Sequence, residues 1–264
     1  YQEETSVEKH IEKIPYEIIP GDVANFRNDV FLERAIVGER VRLAMGLPCR
    51  DAGNQAPISE DVEAADRPET YYTPPLINII KFACNACPEK RLIVTEGCMG
   101  CLAHPCMEVC PKDAVHLDRT IGRASIDQDK CIKCGRCATA CSYNAIITQE
   151  RPCAAACGMD AIHSDSQGKA EIDYDKCVPC GMCLVNCPFG AISDKSQIFQ
   201  VIRGIQSGEK IYAAIAPAFV GQFGPKVTSG KLRAAIKQLG FTDVFEVAIG
   251  ADLCAVQEAD DFME

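Results

Sequence analysis

The chain has 264 residues, of which 47% are hydrophobic and 24% charged, and its formal net charge is -10 at pH 7. This length suits two or three domains, and the negative charge makes nucleic acid and anionic membranes unsuitable partners. No stretch approaches the ~20 apolar residues of a membrane span, and the acidic N-terminus lacks the apolar segment of a secretory signal. The composition therefore predicts a cytoplasmic protein that binds neither nucleic acid nor membranes.

Residues 1–75 are interpreted as an N-terminal helical or irregular region followed by a linker, without a motif that indicates chemistry. Apolar residues roughly follow helical spacing from Asp29 to Met45, and Gly46 ends this predicted helix. Cys49 is interpreted as a buried free thiol. The Pro-rich piece from Arg67 to Pro75 is predicted to be the linker.

Sixteen of the eighteen cysteines lie between Cys84 and Cys187. The pattern C-x2-C-x2-C-x3-C, which is typical of iron-sulfur ligands, occurs twice, at Cys131, Cys134, Cys137 and Cys141 and at Cys177, Cys180, Cys183 and Cys187. Secreted disulfide scaffolds are short and lack such repeats, and one tetrahedral zinc ion does not easily accept four cysteines at this spacing. The pattern therefore favours iron-sulfur clusters over disulfides or zinc.

The cysteine-rich segment contains an internal repeat. Residues 123–147 align with residues 169–193 at an offset of 46, and residues 106–118 align with residues 153–165 at an offset of 47. One unit has thus been duplicated. Helical turns are predicted at the third and fourth cysteines, and short strands are predicted at residues 115–117, 124–126, 145–147 and 170–172.

Each unit resembles the bacterial two-cluster ferredoxin, in which three cysteines of one run share a cluster with the last cysteine of the other run. In the first module, residues 76–147, this resemblance implies site 1, formed by Cys98, Cys101, Cys106 and Cys141, and site 2, formed by Cys110, Cys131, Cys134 and Cys137. In the second module, residues 148–194, it implies site 3, formed by Cys157, Cys177, Cys180 and Cys183. Two cysteines of the second module then lack partners, and an upstream pair completes site 4, formed by Cys84, Cys87, Cys153 and Cys187. Four 4Fe-4S clusters on sixteen cysteines are expected.

Two features of this assignment stay open. Four residues separate Cys101 from Cys106 where the ferredoxin pattern has two, and this spacing resembles the electron-transfer subunits of molybdopterin oxidoreductases, which also carry four clusters. In an alternative assignment, the Cys84/Cys87 pair serves the first module and Cys98 with Cys101 serves the second. We favour the first assignment because it uses contiguous ligands.

Three histidines lie close to the cysteine runs. His104 is inside the longer loop, and a histidine ligand would raise a cluster's potential, but cysteines already fill its sites and no ligand role is expected. His116 and His163 occupy matching positions of the repeat and are interpreted as packing or second-shell residues.

Residues 195–264 are predicted to begin an α/β domain. The expected elements are a helix at 196–204, a strand at 211–216, a helix at 231–239, a strand at 244–249 and a further helix from Ala251. A βαβα piece of this size cannot cover both faces of a sheet, so the domain is expected to be truncated at Glu264. The predicted fold class is α+β, with two tandem two-cluster ferredoxin-like modules followed by the beginning of this α/β domain.

The C-terminal stretch resembles the start of the catalytic domain of FeFe hydrogenases. The residues that carry the resemblance are Ile215-Ala216-Pro217-Ala218, Gly230-Lys231-Leu232, Leu239-Gly240-Phe241, Val244-Phe245, Gly250-Ala251-Asp252-Leu253 and Glu258. Ferredoxin-like modules stand directly upstream of that domain in this family. The resemblance implies an electron relay between a small carrier, expected to be ferredoxin, and a catalytic domain in the same polypeptide that oxidises hydrogen or reduces protons.

The active-site H-cluster is expected only in the missing C-terminal part. The family binds it through T-x-C-C-P, M-P-C and C-x-G-G-C segments, and none occurs here. No catalytic residue is assigned, and Cys254, the only cysteine after Cys187, is interpreted as a core residue. The alternatives are a stand-alone polyferredoxin or iron-sulfur subunit of another oxidoreductase, and a hydrogenase-like protein that assembles clusters or senses with them.

Overall fold

The computed structural model describes residues 7–50, 53, 55–65, 67 and 71–263. The chain divides into two units. The first comprises residues 1–43, 47–60 and 73–195, and the second comprises residues 44–46, 61–72 and 196–264. None of the helices in the described ranges combines the length and the apolar character that crossing a membrane requires.

The N-terminal region is helical. It contains α1 (Val7–Ile18) and α2 (Val30–Ala44), and α3 (Val62–Ala65) follows in the second unit. Helix α2 confirms the prediction: the Asp29 carboxylate accepts a hydrogen bond from the Phe31 N–H at 2.7 Å, as an N-cap does. Gly46, with φ of +79°, follows the end of the helix.

The outer strands of each ferredoxin-like module pair antiparallel. In the first module, β2 (Arg91–Val94) pairs with β5 (Ile146–Gln149). In the second, β1 (Ile77–Ile79) pairs with β8 (Ile192–Asp194). Strand β1 therefore belongs with the second module, although the sequence boundaries group residue 76 onwards with the first.

Each module also contains a hairpin and two short helices. The hairpins join β3 (Val115–Asp118) to β4 (Arg123–Ile126) and β6 (Ile162–Ser164) to β7 (Ala170–Ile172). The helices, which carry the third cysteine of each run, are α4 (Pro105–Glu108), α5 (Arg136–Ala140), α6 (Pro152–Ala155) and α7 (Met182–Val185). The four predicted strands are confirmed, with strand ends shifted by at most two residues. The predicted helical turns are confirmed at the third cysteine of each run, whereas the fourth cysteine lies just beyond the helix in every case.

The two modules are nested in the chain. Strand β1 comes first, the whole first module follows, and residues 151–195 then complete the second module. The folds are alike because the repeat is shared, but only the first module is contiguous. The coarser prediction of an α+β protein with ferredoxin-like modules agrees with these elements.

The second unit contains the predicted βαβ segment. Its elements are α8 (Ile198–Ser207), β9 (Tyr212–Ile215), α9 (Ser229–Gln238), β10 (Asp243–Glu246) and α10 (Val247–Met263), and β9 pairs parallel with β10. The strand predicted at 244–249 was too long, and the helix expected from Ala251 begins at Val247. Val247 and Ile249 favour strands only in a suitable context, and here they continue into a run rich in alanine, a strong helix former.

The linker prediction, Arg67 to Pro75, falls partly outside the described residues. Residues 68–70 are not described, and residues 71–75 form neither helix nor strand.

Candidate metal centres

The cysteines of the first module surround one apolar core. Cys106 and Cys137 are buried there with Leu92, Val115 and Ile146. Four more cysteines are partly buried and pack against this core: Cys98, Cys110, Cys131 and Cys141. The two remaining cysteines, Cys101 and Cys134, are half-buried and exposed, respectively.

The second module repeats this arrangement with equivalent cysteines. Cys153 and Cys183 are buried with Ile77, Ile162 and Ile192. Four others are partly buried and pack against this core: Cys84, Cys157, Cys177 and Cys187. Cys87 is half-buried, like Cys101 in the first module, and Cys180 is exposed, like Cys134.

Two cavities in the second module are each lined by a complete predicted set of four thiols. The lining of the first includes the site 4 cysteines: Cys84, Cys87, Cys153 and Cys187. The lining of the second includes the site 3 cysteines: Cys157, Cys177, Cys180 and Cys183. The upstream Cys84/Cys87 pair thus lies beside the two cysteines that the repeat leaves without partners.

In the first module, the members of each predicted set are electrostatic neighbours. Burial raises the pKa of Cys106, and repulsion from Cys101 and Cys141 adds to the rise. Burial likewise raises the pKa of Cys137, with Cys131 and Cys110 adding to it. Cys110 and Cys134 also line an open depression on the surface. The cysteines that act on Cys106 belong to site 1, as it does, and those that act on Cys137 belong to site 2.

Backbone N–H groups point at cysteine sulfurs at equivalent places of the repeat. Three alanines donate to the sulfur of the cysteine four residues earlier: Ala114 to Cys110 at 3.2 Å, Ala145 to Cys141 at 3.4 Å and Ala161 to Cys157 at 3.4 Å. Two other alanines, at the start of a hairpin strand or next to it, donate to a distant sulfur: Ala124 to Cys98 at 3.4 Å and Ala170 to Cys84 at 3.3 Å. Such bonds favour the thiolate over the thiol.

These features fit 4Fe-4S clusters. Four thiols around an apolar cavity, with N–H donors at the sulfurs, are the ligand set and surroundings that such clusters require. Within the described ranges, no three His, Cys, Asp or Glu side chains form a group that could hold one metal ion. A cubane does not need such convergence, because its four cysteines bind four different irons.

Burial raises the pKa of two of the site 4 thiols, Cys87 and Cys153. Burial raises the pKa of Cys153 to about 11; the Arg151 guanidinium opposes this rise, while Cys187 and Cys84 add to it. Since iron binds the thiolate, loading this site must release protons.

The histidines and the remaining cysteines take different positions. The Nε2 atom of His104 is buried and has no hydrogen-bond partner among the described residues. The interpretation of His116 and His163 as packing residues is wrong: both lie on the solvent side of their hairpins, because their neighbours in these strands occupy the inward face. Cys49 is half-buried against the site 4 side of the core. Cys254 on α10 is exposed, where a core residue was expected.

Sequence reasoning missed one residue of site 4, Arg151. Arg151 is among the residues that line the same cavity as the four cysteines, and its side chain is among the few charged ones that are buried. The repeat holds a signal for it, because Arg151-Pro-Cys153 stands where the first module has His104-Pro-Cys106.

Comparison with known families agrees with both parts of the chain. Residues 209–264 match the iron-only hydrogenase large subunit, C-terminal domain. Residues 123–146 and 169–192 match the 4Fe-4S binding domain. The first match lies in the βαβ segment and the other two cover the second cysteine run of each module.

Several curated proteins are similar to parts of the chain. Iron hydrogenase 1 of Clostridium pasteurianum is 32% identical over 205 residues, which are 72% of this chain and 34% of that protein. An uncharacterized ferredoxin of Methanocaldococcus jannaschii is 40% identical over 67 residues, 24% of this chain and 43% of that protein. The polyferredoxin-like subunit of an aliphatic sulfonate oxidoreductase from Pyrococcus furiosus is 38% identical over 48 residues, 18% of this chain and 28% of that protein.

The chain spans about a third of the length of the hydrogenase and less than half of the other two proteins. The hydrogenase similarity extends over most of the present sequence, whereas the other two cover 24% and 18% of it. Together with the domain matches, this confirms the resemblance inferred from the residues. The chain is therefore an FeFe hydrogenase-related protein with 4Fe-4S ferredoxin domains.

Proposed function

We propose that this chain is the electron-relay part of a cytoplasmic FeFe hydrogenase and that sites 1 to 4 each hold one 4Fe-4S cluster. The observation that carries the proposal is that all four thiols of site 3 line one cavity and all four thiols of site 4 line another. Site 4 includes the Cys84/Cys87 pair, which lies outside the repeat.

The protein's own residues supply position and electrostatics. When bound, a 4Fe-4S cluster accepts and releases one electron at a time. The cysteines fix where this occurs, the apolar walls restrict water, and the alanine N–H groups stabilise negative charge on the sulfurs. The chain thereby performs electron transfer without a catalytic residue of its own.

The contacts of the upstream pairs support the favoured ligand assignment. Cys98 accepts the N–H of Ala124 in the first module, and Cys84 accepts the N–H of Ala170 in the second. The two alanines are equivalent in the repeat, so each pair serves its own module. Exchange of the pairs between modules would separate both sulfurs from these donors.

The whole protein is proposed to catalyse reversible hydrogen oxidation, with ferredoxin or another small carrier as its redox partner. The similarity to Iron hydrogenase 1 supports this reaction. The H-cluster is then held by a catalytic domain of the same polypeptide. An alternative is a polyferredoxin or an electron-transfer subunit of another oxidoreductase, which the similarity to the polyferredoxin-like subunit favours.

The test is the iron and acid-labile sulfide content of the anaerobically purified chain, followed by reductive titration with electron paramagnetic resonance. About sixteen irons per chain are expected from four clusters. About eight would contradict two of the sites, and stoichiometric zinc would overturn the redox function. Hydrogen uptake by the full-length polypeptide separates the hydrogenase from the alternative.

A further inference from the structure

Arg151 is buried, with 3% of its surface exposed. Nε and Nη2 donate to the carbonyl of Cys87 at 3.2 and 2.7 Å, and Nη1 donates to the carbonyl of His163 at 3.1 Å. Nη2 also donates to the Ser164 hydroxyl at 3.0 Å and to the Gly168 carbonyl at 2.7 Å. One side chain thereby ties the upstream ligand pair to the β6–β7 hairpin of the second module.

All acceptors of Arg151 are electrically neutral. The ion pairs found in the described part of the chain do not include Arg151. A buried cation without a compensating charge is strongly unfavourable. A countercharge is therefore needed inside the protein.

The cavity of site 4 supplies the place for that countercharge. Arg151 lines it together with the four cysteines, and an oxidised cubane with four thiolates carries a charge of about -2. At the equivalent position, the first module has His104, whose Nε2 is buried without a partner in the described chain.

We propose that Arg151 is a positioning residue of site 4, which holds the backbone of Cys87 in place and whose charge gives the site 4 cluster a higher reduction potential than it would otherwise have. This inference rests on the proposed function. One-electron reduction by an external reductant makes the cluster more negative, so a nearby cation stabilises the reduced form. Of the four clusters, the one in site 4 is selectively sensitive to Arg151.

The experiment compares the wild-type chain with R151Q, R151K and R119Q by iron content and by a potentiometric titration monitored by electron paramagnetic resonance. R119Q is the control, because it removes an exposed charge from the turn between β3 and β4. C153S identifies the signal of site 4 as the one that is lost or altered. In R151Q we expect one of the four potentials to shift downward, or about four of sixteen irons to be lost.

R151K separates the two roles, since it keeps the charge and loses the planar fork. At full iron content, its site 4 potential is expected to stay closer to wild type than that of R151Q. Sixteen irons and four unchanged potentials in R151Q would overturn the inference, as would an equal shift in R119Q. If R151Q fails to fold, a fully loaded R151K with a wild-type potential supports the charge role, and a lowered one contradicts it.

The two proposals fail in different ways. A wild-type chain without iron contradicts the proposed function itself. A wild-type chain with about sixteen irons and an R151Q variant indistinguishable from it contradicts only the role of Arg151.

Discussion

The two ferredoxin-like modules have the same elements and differ in how the chain connects them. The first is contiguous from β2 to β5, whereas the second combines β1 and the Cys84/Cys87 pair with residues 151–195. Inserting a whole folded module between two parts of the second costs little, because the entropy of loop closure rises slowly with length. Strand pairing, together with the proposed sharing of ligands, defines the module, and continuity of the chain does not.

The split module is held together by contacts that begin outside the repeat. Helix α2 packs Ile36 and Leu43 against Ile80, Ala83 and Ala191, next to two cysteines of site 4. Arg27 of the preceding loop donates to the carbonyls of Ala83 and Phe189. Helix α2 and the loop before it, in which the sequence shows no chemistry, therefore pack next to two cysteines of site 4.

The largest effect is expected from removing one upstream ligand pair at a time. C84S/C87S should lose about four of sixteen irons and become sensitive to proteolysis within residues 151–195. C98S/C101S is the matched control and should lose about four irons with cleavage within the first module instead. Iron analysis and limited anaerobic proteolysis provide the measurement. Cleavage within the first module in C84S/C87S, and within residues 151–195 in C98S/C101S, would show that each pair serves the other module.

Truncation of a buried leucine tests whether helix α2 stabilises site 4. Leu43 is fully buried in the contact with the second module, and L43A should lower the free energy of unfolding by about 2–5 kcal/mol. The matched variant is L92A, which opens a similar cavity in the core of the first module. Anaerobic denaturant titration gives the energies, and chelator-driven iron release shows which sites open.

L43A should release iron first from site 4, and L92A from sites 1 and 2. Equal release from all sites in both variants would mean that the modules do not lose metal independently.

A smaller effect is expected at the ion pair that joins the segment before Cys84 to the β6–β7 hairpin. Lys81 Nζ lies 2.7 Å from an Asp165 carboxylate oxygen, and its hydrogen bond is the main cause that lowers the Asp165 pKa to about 2. D165N should speed chelator-driven iron release from site 4. Because the pair is exposed, added salt should reduce the difference from wild type.

The pH dependence of this difference has a defined sign. The folded pKa of Asp165 lies below the value of about 3.9 in an unfolded chain. The stabilisation that the Lys81–Asp165 ion pair contributes is therefore fully present well above that value and is lost as the pH falls towards 2. Because acid decomposes iron-sulfur clusters before Asp165 is protonated, iron release is compared between about pH 6 and 8, where this carboxylate stays ionised. The difference between D165N and wild type should be constant there, and a difference that changes with pH in this range would contradict the role of the ion pair.

The smallest effect is expected at the surface of the hairpins. His163 and Glu171 face each other across β6 and β7 at 3.6 Å, and about half of each side chain is exposed. H163Q should change the free energy of unfolding by less than about 1 kcal/mol and leave the iron content at about sixteen. Loss of iron in H163Q would show that this histidine supports the ligands of site 4.

Local features of the modules were predictable because cysteine spacing and strand alternation depend on neighbouring residues. The strands and helical turns around the cysteines follow this rule. Strand β1 does not, since its partner β8 is more than a hundred residues away and three-residue strands carry little periodic signal. The role of Arg151 depends on the same long-range arrangement, which local sequence patterns do not specify.

The nested order of the strands determines when each site can be completed during synthesis. In the proposed ligand assignment, every ligand of sites 1 and 2 is present once Cys141 has left the ribosome. Cys84 and Cys87 are made earlier but must wait for Cys187, because domains assemble as the chain emerges from its N-terminus. The nascent chain therefore holds Cys84 and Cys87 as thiols without metal while the first module is already complete. These two thiols most need protection from oxidation until Cys187 has been synthesised.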